Sequence, residues 1–252
     1  MENNAISCLC LTYGRTHLII EALHSYLIQK YDGKSEFLII NDAPFQKLHF
    51  EHPNVRIINL DKTFPKWGEK EDYGIQQCAH NIVVQWDDDD IAIRDCHLSN
   101  INDLYNQYKF ALVHWNKGVF MNAGKIAAIR SLGNSGICFT KEAWKEIGGY
   151  PHENCGADMR FVQAIEKTKL KVVRATPEDD KVSWAYRWGE NNYNCSGLGD
   201  DSKRPEEEQI ISRHTKYIES EIEKGKIPTG DIELKPHWNQ DYSQLLKNYI
   251  SK

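Results

Sequence analysis

The sequence lacks the cysteine pattern of a zinc site or of a disulfide framework. Its seven cysteines are an odd number and include no CxxC pair, which disfavours both a zinc ribbon and a disulfide-stabilised fold. Reduced thiols are typical of a cytosol-like compartment. No apolar run reaches the roughly 18 residues of a membrane span, and the start MENNAISCLC has neither a charged leader nor an apolar signal segment. We therefore expect a soluble, unprocessed, cytoplasmic protein.

The sequence also has no excess of positive charge. Lysine and arginine together number 31 against 36 aspartates and glutamates, which gives a net charge of −5. That balance creates no general field to attract nucleic acid or anionic lipid. The 252 residues, 40% of them hydrophobic, are sufficient for a large globular domain with a real core.

Strand-like and helix-like patterns alternate in the first half of the chain. The predicted elements are strands at 5–11, 36–42, 55–60 and 81–87, and helices at 15–29 and 68–80. Such alternation predicts an α/β fold, with a mainly parallel sheet flanked by helices. Ligands bind beyond the carboxyl ends of the strands in such sheets. We therefore expect Asp42 and Asp87 to Asp89 to converge on one edge.

The second half is less regular. The predicted elements there are helices at 95–108, 140–150 and 155–169, and strands at 110–115, 136–139 and 181–188. From Arg204 the sequence becomes charged and helical. We predict a domain at 1–203, with halves 1–115 and 116–203, followed by a C-terminal helical arm at 204–252.

Four consecutive aspartates, Asp87 to Asp90, follow the apolar run at 81–86. Like charges a few ångströms apart repel by about 1 kcal/mol per pair in water, so the run calls for a cation. In an extended segment Asp87 and Asp89 would share one side, and Asp88 and Asp90 the other. A D-x-D pair at a strand end suits Mg²⁺ or Mn²⁺ held jointly with a diphosphate. The alternative is a solvated acidic turn whose Asp90 caps the next helix.

Taken in order, the motifs LTYGRTHL, NDA, WDDDDI, SGICFTKEAWKEIGGYP and GADMRF resemble those of the family 2 glycosyltransferases of the GT-A fold. The resemblance implies a Rossmann-like domain that binds a nucleotide-sugar, with Asp42 accepting from the base and Asp88 near the ribose. It implies Asp89 as the ligand of Mn²⁺ or Mg²⁺ and Asp158 as the general base. The nucleotide-sugar-binding residues that it implies are Thr12, Tyr13, Arg15, Asp42, Lys70, Asp87 and Asp88.

The activity that follows is transfer of a sugar from a nucleotide-sugar, on family grounds a UDP-sugar. A bound metal neutralises the leaving diphosphate, and a carboxylate takes the proton of the acceptor hydroxyl. Direct displacement then inverts the anomeric centre. Asp158 is the only carboxylate between Gly156 and Glu166. Without the resemblance, Asp158 would be interpreted as a helix N-terminal aspartate favoured by the helix dipole.

The sequence departs from the family pattern at two places. Lys70, Glu71 and Asp72 stand where the family often has Ala-Arg-Asn. Either Lys66 or Lys70 replaces the missing arginine at the diphosphate, or both are solvated lysines. Many relatives have a histidine where this chain has Asn194, which is a poorer metal ligand, so a strict metal requirement does not follow.

Three aromatic residues, Trp184, Tyr186 and Trp188, alternate onto one face of a strand. Core packing is the commoner explanation for such a stripe, especially for Trp184. Sugar rings also stack on exposed aromatic side chains, and Arg187 on the opposite face could meet an anionic group. We therefore predict weak acceptor contacts at Trp188 and Arg187. The acceptor could be a glycan, a lipid-linked sugar, a protein or a modified nucleic acid base.

Two other function classes remain open. A metal-dependent nucleotidyltransferase would use the same acidic strand end, but LTYGRTH lacks the glycine-rich, lysine-bearing loop that such an enzyme needs. A catalytically silent nucleotide- or carbohydrate-binding module would bind the donor without turning it over.

Overall fold

The computed structural model describes residues 2–154, 156–189 and 207–251. The described helices are α1 Thr16–Leu27, α2 Trp67–Gln77, α3 His97–Tyr108, α4 Lys141–Glu146, α5 Ala157–Glu166, α6 Glu207–Glu223 and α7 Tyr242–Ile250. The described strands are β1 Ile6–Thr12, β2 Ser35–Asn41, β3 Gln46–His49, β4 Val55–Asn59, β5 Ile82–Gln85, β6 Ile91–Ala92, β7 Leu112–Trp115, β8 Gly118–Asn122, β9 Lys125–Arg130, β10 Cys138–Thr140, β11 Val172–Ala175, β12 Trp184–Trp188 and β13 Gly230–Glu233.

A seven-stranded sheet forms the centre of the molecule, in the order β11-β7-β10-β5-β1-β2-β4. All neighbouring strands pair in parallel except β10, which runs antiparallel to β5 and β7. The mainly parallel α/β sheet flanked by helices is therefore confirmed. Because β1 lies between β5 and β2, the carboxyl ends of these three strands meet at one edge.

Burial on both faces explains why most residues of β1 are apolar. Alternate side chains of a strand point to opposite faces. Ile6, Cys8 and Cys10 belong to the core on one face of the sheet, whereas Leu9 and Leu11 belong to the core on the other. Helices cover both faces of such a sheet, so nearly continuous apolar strands are expected.

A second sheet, in the order β6-β12-β8-β9, lies on the side of the molecule reached by the acidic run. β6 follows directly after the four aspartates and pairs antiparallel with β12. β12 in turn pairs in parallel with β8. Through β6, this sheet connects the acidic segment to the aromatic strand β12.

The C-terminal part is more than a helical arm. Its strand β13 pairs in parallel with β3, Gly230 opposite Gln46 and Glu233 opposite His49. The side chain of Asp241 caps α7 by accepting from the Gln244 backbone amide at 2.9 Å. The predicted boundary at 203/204 lies outside the described residues. Among the described helices, none has the length and apolar character needed to cross a membrane.

Candidate functional site

The four aspartates after β5 form a turn and not an extended segment. The Asp90 backbone amide donates to the Asp87 carbonyl at 3.0 Å, which closes a β-turn. The expected alternation of side chains is therefore wrong, because it holds only for extended backbone. Instead of pointing to opposite sides, the carboxylates of Asp88 and Asp89 reach the same guanidinium group, that of Arg15. We call residues Asp87 to Asp90 the acidic turn.

Arg15 supplies the cation that the acidic turn requires. Its Nε donates to Asp88 Oδ2 at 3.1 Å, its Nη2 pairs with Asp88 Oδ1, and its Nη1 donates to Asp89 Oδ2 at 3.0 Å. The planar fork of arginine matches carboxylate geometry in this way. Burial opposes the charge on Arg15, but the two carboxylates raise the pKa of the guanidinium above its usual value.

Thr12 holds the same carboxylate from the end of β1. Its hydroxyl donates to Asp88 Oδ2 at 2.6 Å, and Asp88 is fully buried. Burial raises the pKa of Asp88, and the adjacent Asp89 adds to this, whereas Arg15 and Thr12 lower it. The ends of β1 and β5 are thus joined at the predicted site.

The carboxylate of Asp90 connects the acidic turn to two other segments of the protein. Its Oδ2 accepts from the Ser135 hydroxyl at 2.5 Å, and its Oδ1 accepts from the Arg187 backbone amide at 2.9 Å. Asp90 is fully buried and precedes a strand, so it does not cap a helix. Burial, followed by the charges of Asp89 and Asp87, raises its pKa well above the usual value.

The remaining carboxylate of the acidic turn is that of Asp87. Burial and the neighbouring charges of Asp89 and Asp88 raise its pKa to about 7. Carboxylate oxygens are the ligands that Mg²⁺ and Mn²⁺ prefer. The three carboxylates of Asp87 to Asp89 face one guanidinium, that of Arg15, so the chemistry of the acidic turn is compatible with an added divalent cation. Within the described ranges, no group of three or more His, Cys, Asp or Glu side chains is arranged to hold a metal by itself.

Lys70 and Asp42 form a buried ion pair beside the acidic turn. Lys70 Nζ donates to Asp42 Oδ1 at 2.5 Å and to the Thr12 carbonyl at 2.8 Å. Asp42 Oδ2 accepts from the Phe64 backbone amide at 3.0 Å. Both charged side chains are almost fully buried. The structure thus brings together Thr12, Asp42 and Lys70, as the sequence predicts.

Tyr13 follows Thr12 but lies against the C-terminal part of the chain. Its ring meets Phe45 edge to face, with 5.5 Å between centroids, and lies 6.4 Å from the ring of His214 on α6. The same cluster contains the buried Ile218 of α6. Helix α6 therefore packs on the end of β1, which the sequence analysis does not predict.

Asp158 occupies the first turn of α5. The helix begins after Gly156, whose φ of 69° lies in the left-handed region that glycine adopts readily. Asn134 Nδ2 donates to Asp158 Oδ2 at 3.1 Å. The charge of Asp158 contributes to the raised pKa of Asp87, so the candidate base lies within electrostatic reach of the acidic turn.

Sequence reasoning missed one titratable residue at the site, Glu71. It is 1% exposed and accepts from Gln85 Nε2 at 3.1 Å. Burial, then the charge of Asp87, raises its pKa well above the usual value, so the folded protein favours the protonated form of Glu71 more than the unfolded chain does. Glu71 follows Lys70 on α2 and lies three residues before Gly74, so it shares the buried face of that helix. This position is the signal that could have identified it.

Arg187 is inside the protein. Its Nη1 donates to Glu21 Oε2 at 2.5 Å, and its Nε donates to the Asp89 carbonyl. The anionic partner of Arg187 in the structure is therefore Glu21, and the acceptor contact of Arg187 stays a prediction. Trp188 is partly exposed at the end of β12. Asn194, predicted near this point, lies outside the described residues.

The comparisons identify the fold. No family model matches the sequence, and no curated protein matches it. The structure of S. aureus TarS 1–349 in complex with UDP-GlcNAc matches with a TM-score of 0.59 and 13% identity, over 98% of this chain and 71% of that chain. The mannosyltransferase PcManGT from Pyrobaculum calidifontis, in complex with GDP-Man and Mn²⁺, matches with a TM-score of 0.59 and 12% identity, over 100% and 81% of the two chains. At this identity the likeness shows the fold alone, which is of the GT-A glycosyltransferase type.

Proposed function

We propose that the protein is a metal-dependent, inverting glycosyltransferase of the family 2 type, which transfers a sugar from a UDP-sugar to an acceptor hydroxyl. One observation carries this proposal: Asp88 and Asp89 converge on Arg15 at the carboxyl end of β5, with Asp158 within electrostatic reach of Asp87. The fold is shared with proteins solved in complex with UDP, UDP-GlcNAc, or GDP-Man and Mn²⁺, which supports a nucleotide-sugar as donor.

The donor nucleotide would lie across the ends of β1 and β2. A carboxylate has about four acceptor positions, and Asp42 uses one each for Lys70 Nζ and the Phe64 amide. Asp42 therefore has about two acceptor positions left, one of which could accept from a base N–H. Lys70 and the Phe64 amide hold that carboxylate, and Lys70 also holds the Thr12 carbonyl at the strand end. This fixed orientation lowers the ordering cost of binding.

The acidic turn would receive the diphosphate end of the donor. Asp89, with Asp87 and Asp88 beside it, would hold Mn²⁺ or Mg²⁺ together with donor phosphate oxygens. When bound, the metal supplies positive charge that stabilises the departing diphosphate. Arg15 keeps the carboxylates of Asp88 and Asp89 oriented toward one point.

Asp158 would act on the acceptor. Its carboxylate is held by Asn134 Nδ2 and takes the proton from the acceptor hydroxyl as that oxygen attacks the anomeric carbon. The bond from the anomeric carbon to the diphosphate oxygen breaks as the new glycosidic bond forms. One displacement from the opposite face inverts the configuration.

Thermal unfolding with nucleotides tests the donor site. UDP, GDP, dTDP and CMP would each be added with and without Mn²⁺ to the wild type, to Asp89→Asn, and to a control with an exposed carboxylate changed, Asp180→Asn. A nucleotide at 100 times its dissociation constant stabilises a protein by about 2.7 kcal/mol. We expect UDP to raise the melting temperature of wild type and control only with Mn²⁺, and to lose this effect in Asp89→Asn. If no nucleotide shifts the wild type, or if Asp89→Asn keeps the full shift, the proposal is wrong.

A further inference from the structure

A cavity adjoins the acidic turn on the side of the C-terminal part. Its volume is about 290 Å³, and it opens to solvent. That volume is at the small end of ligand pockets, which measure about 300–1,000 Å³, and it suits a ligand of the size of one sugar ring. Its walls come from α1, β8, the end of β12 and the segment that leads into α7.

Three buried polar residues line the cavity: Glu21, Arg187 and Tyr242. Arg187 Nη1 donates to Glu21 Oε2 at 2.5 Å and lies 3.2 Å from the Tyr242 hydroxyl, which donates to Glu21 Oε1 at 2.9 Å. All three residues are more than nine-tenths buried. Arg187 Nη2 is buried and has no hydrogen-bond partner in the described part of the chain. A buried donor without a partner is costly, so this guanidinium has hydrogen-bonding capacity that its protein contacts do not use.

The charges of these residues favour a neutral ligand. The guanidinium of Arg187 and the carboxylate of Glu21 form one ion pair, so their net charge is zero. An anion bound beside Arg187 would also meet the carboxylate of Glu21. Guanidinium donors and carboxylate acceptors side by side instead match hydroxyl groups, which both donate and accept hydrogen bonds.

The remaining walls suit the apolar face of a ring. Trp188, Met121 and Leu18 line the cavity beside the polar groups. Ligand sites commonly combine such apolar walls with a few fixed polar groups. An indole next to hydroxyl-binding groups suits a pyranose, whose C–H face is apolar and whose rim is polar.

The position of the cavity relates it to the acidic turn. Arg187 Nε donates to the Asp89 carbonyl, whereas the Asp89 carboxylate meets Arg15. Asp89 thus contacts Arg187 through its backbone carbonyl and Arg15 through its carboxylate. Arg187 therefore links the cavity to the acidic turn, where the proposed metal and donor diphosphate would bind.

We propose that this cavity binds one neutral sugar ring of the acceptor, with Trp188 as the stacking surface and Glu21 and Arg187 as hydroxyl-binding groups. Its assignment to the acceptor rests on the proposed glycosyltransferase function. The binding of a sugar at this place can be measured independently of transfer.

Ligand-observed NMR by saturation transfer provides that measurement. The probes would be the methyl glycosides of glucose, mannose, N-acetylglucosamine and glucuronic acid, added to the full chain with UDP and Mn²⁺. Gln240→Trp fills the cavity from a half-buried lining position, and Trp188→Ala removes the indole. Gln244→Trp is the matched control, because it adds the same side chain at an exposed position of α7.

We expect saturation transfer to at least one neutral glycoside in the wild type and in Gln244→Trp. In Gln240→Trp and Trp188→Ala this signal should fall by at least about fivefold, as tenfold weaker binding would produce. The shift in melting temperature caused by UDP and Mn²⁺ should be unchanged in all variants, which also shows that they fold.

Three results would overturn the proposal. The first is an equal signal in Gln240→Trp and Gln244→Trp. The second is a stronger signal from the glucuronide than from every neutral glycoside. The third is no signal from any probe at about 10 mM, a concentration at which even a site with millimolar affinity is mostly filled. Glycoside binding that depends on Gln240 and Trp188, without any nucleotide shift, would uphold the sugar site and contradict only the donor-site proposal.

Discussion

Lys70 Nζ lies 2.5 Å from Asp42 Oδ1 and 2.8 Å from the Thr12 carbonyl. One buried cation therefore joins the end of β1 to the residue that follows β2. Neither side chain of the pair is more than 6% exposed, so neither charge is stabilised much by water. The pair holds the proposed base-binding carboxylate in place before any ligand arrives.

Lys70→Met should destabilise the protein by about 3–5 kcal/mol, because it leaves the Asp42 carboxylate buried and unpaired. Urea unfolding would measure the change. The double variant Lys70→Met/Asp42→Asn should recover part of the loss, since it removes the unpaired charge. Lys66→Met, at an exposed lysine just before α2, is the control. A single variant no less stable than this control would show that the ion pair has no structural role.

Asp158→Asn should reduce sugar transfer by about 10²–10⁴-fold, the usual contribution of a general base. The amide keeps the size of the side chain and the contact with Asn134 but cannot take a proton. Nucleotide binding, measured as the shift in melting temperature with UDP and Mn²⁺, should stay at the wild-type level. Transfer by Asp158→Asn at the wild-type rate would exclude Asp158 as the base.

Glu71→Gln should make the protein more stable at neutral pH. Burial raises the pKa of Glu71 in the folded state well above the usual 4.5, so the folded chain holds a proton that the unfolded chain releases. The stability that comes from this group is present below pH 4.5 and is lost as the pH rises toward the folded pKa. Glutamine mimics the protonated form and keeps an oxygen for Gln85 Nε2.

Urea unfolding across the acid to neutral range checks this sign. The advantage of Glu71→Gln over the wild type should grow by at most about 1.4 kcal/mol per pH unit. Glu69→Gln, on the same helix but less buried, should show no such growth. A wild type that gains stability over Glu71→Gln with rising pH would mean that Glu71 is ionised in the folded protein.

Glu21→Gln should weaken both folding and metal-dependent nucleotide binding. The change leaves the buried guanidinium of Arg187 without its counter-ion, at a cost of about 3–5 kcal/mol. Because Arg187 also holds the Asp89 carbonyl, the acidic turn should lose support. Tyr242→Phe removes only a hydroxyl, so its cost should be smaller, about 1–3 kcal/mol.

Urea unfolding and titration of UDP with Mn²⁺ would compare the two variants. If Tyr242→Phe is as damaging to stability as Glu21→Gln, the ion pair is not the main link. If nucleotide binding is unchanged in a folded Glu21→Gln protein, Arg187 does not position the acidic turn.

The N-terminal half could be predicted because its signals are local. Strands β1, β2 and β5 are continuous apolar runs, and a parallel sheet buries both faces of such runs. Their carboxyl ends carry Thr12, Asp42 and Asp87, so the place of the site followed from the topology rule for such sheets. The need for a cation at four aspartates also followed from charge alone, although Arg15 emerges as that cation only in the structure.

The C-terminal half could not be predicted in the same way. β13 and β3 are four-residue strands at 230–233 and 46–49. Neither short sequence indicates the strand with which it pairs. The sequence places Arg187 on the face opposite Trp184 and Trp188, but strand alternation does not show what packs against that face. Its partners Glu21 and Tyr242 lie 166 and 55 residues away along the chain.

The hydrogen bond from the Asn239 backbone amide to Glu21 Oε1 spans 218 residues of sequence. During translation, the strands of the central sheet, which end at Ala175, are made before residue 239, so α1 carries the Glu21 carboxylate without this later partner until then. The nascent protein can thus build its framework early and complete the neighbourhood of the acidic turn late. In that interval the Glu21 carboxylate lacks its hydrogen bonds from the Asn239 amide and the Tyr242 hydroxyl.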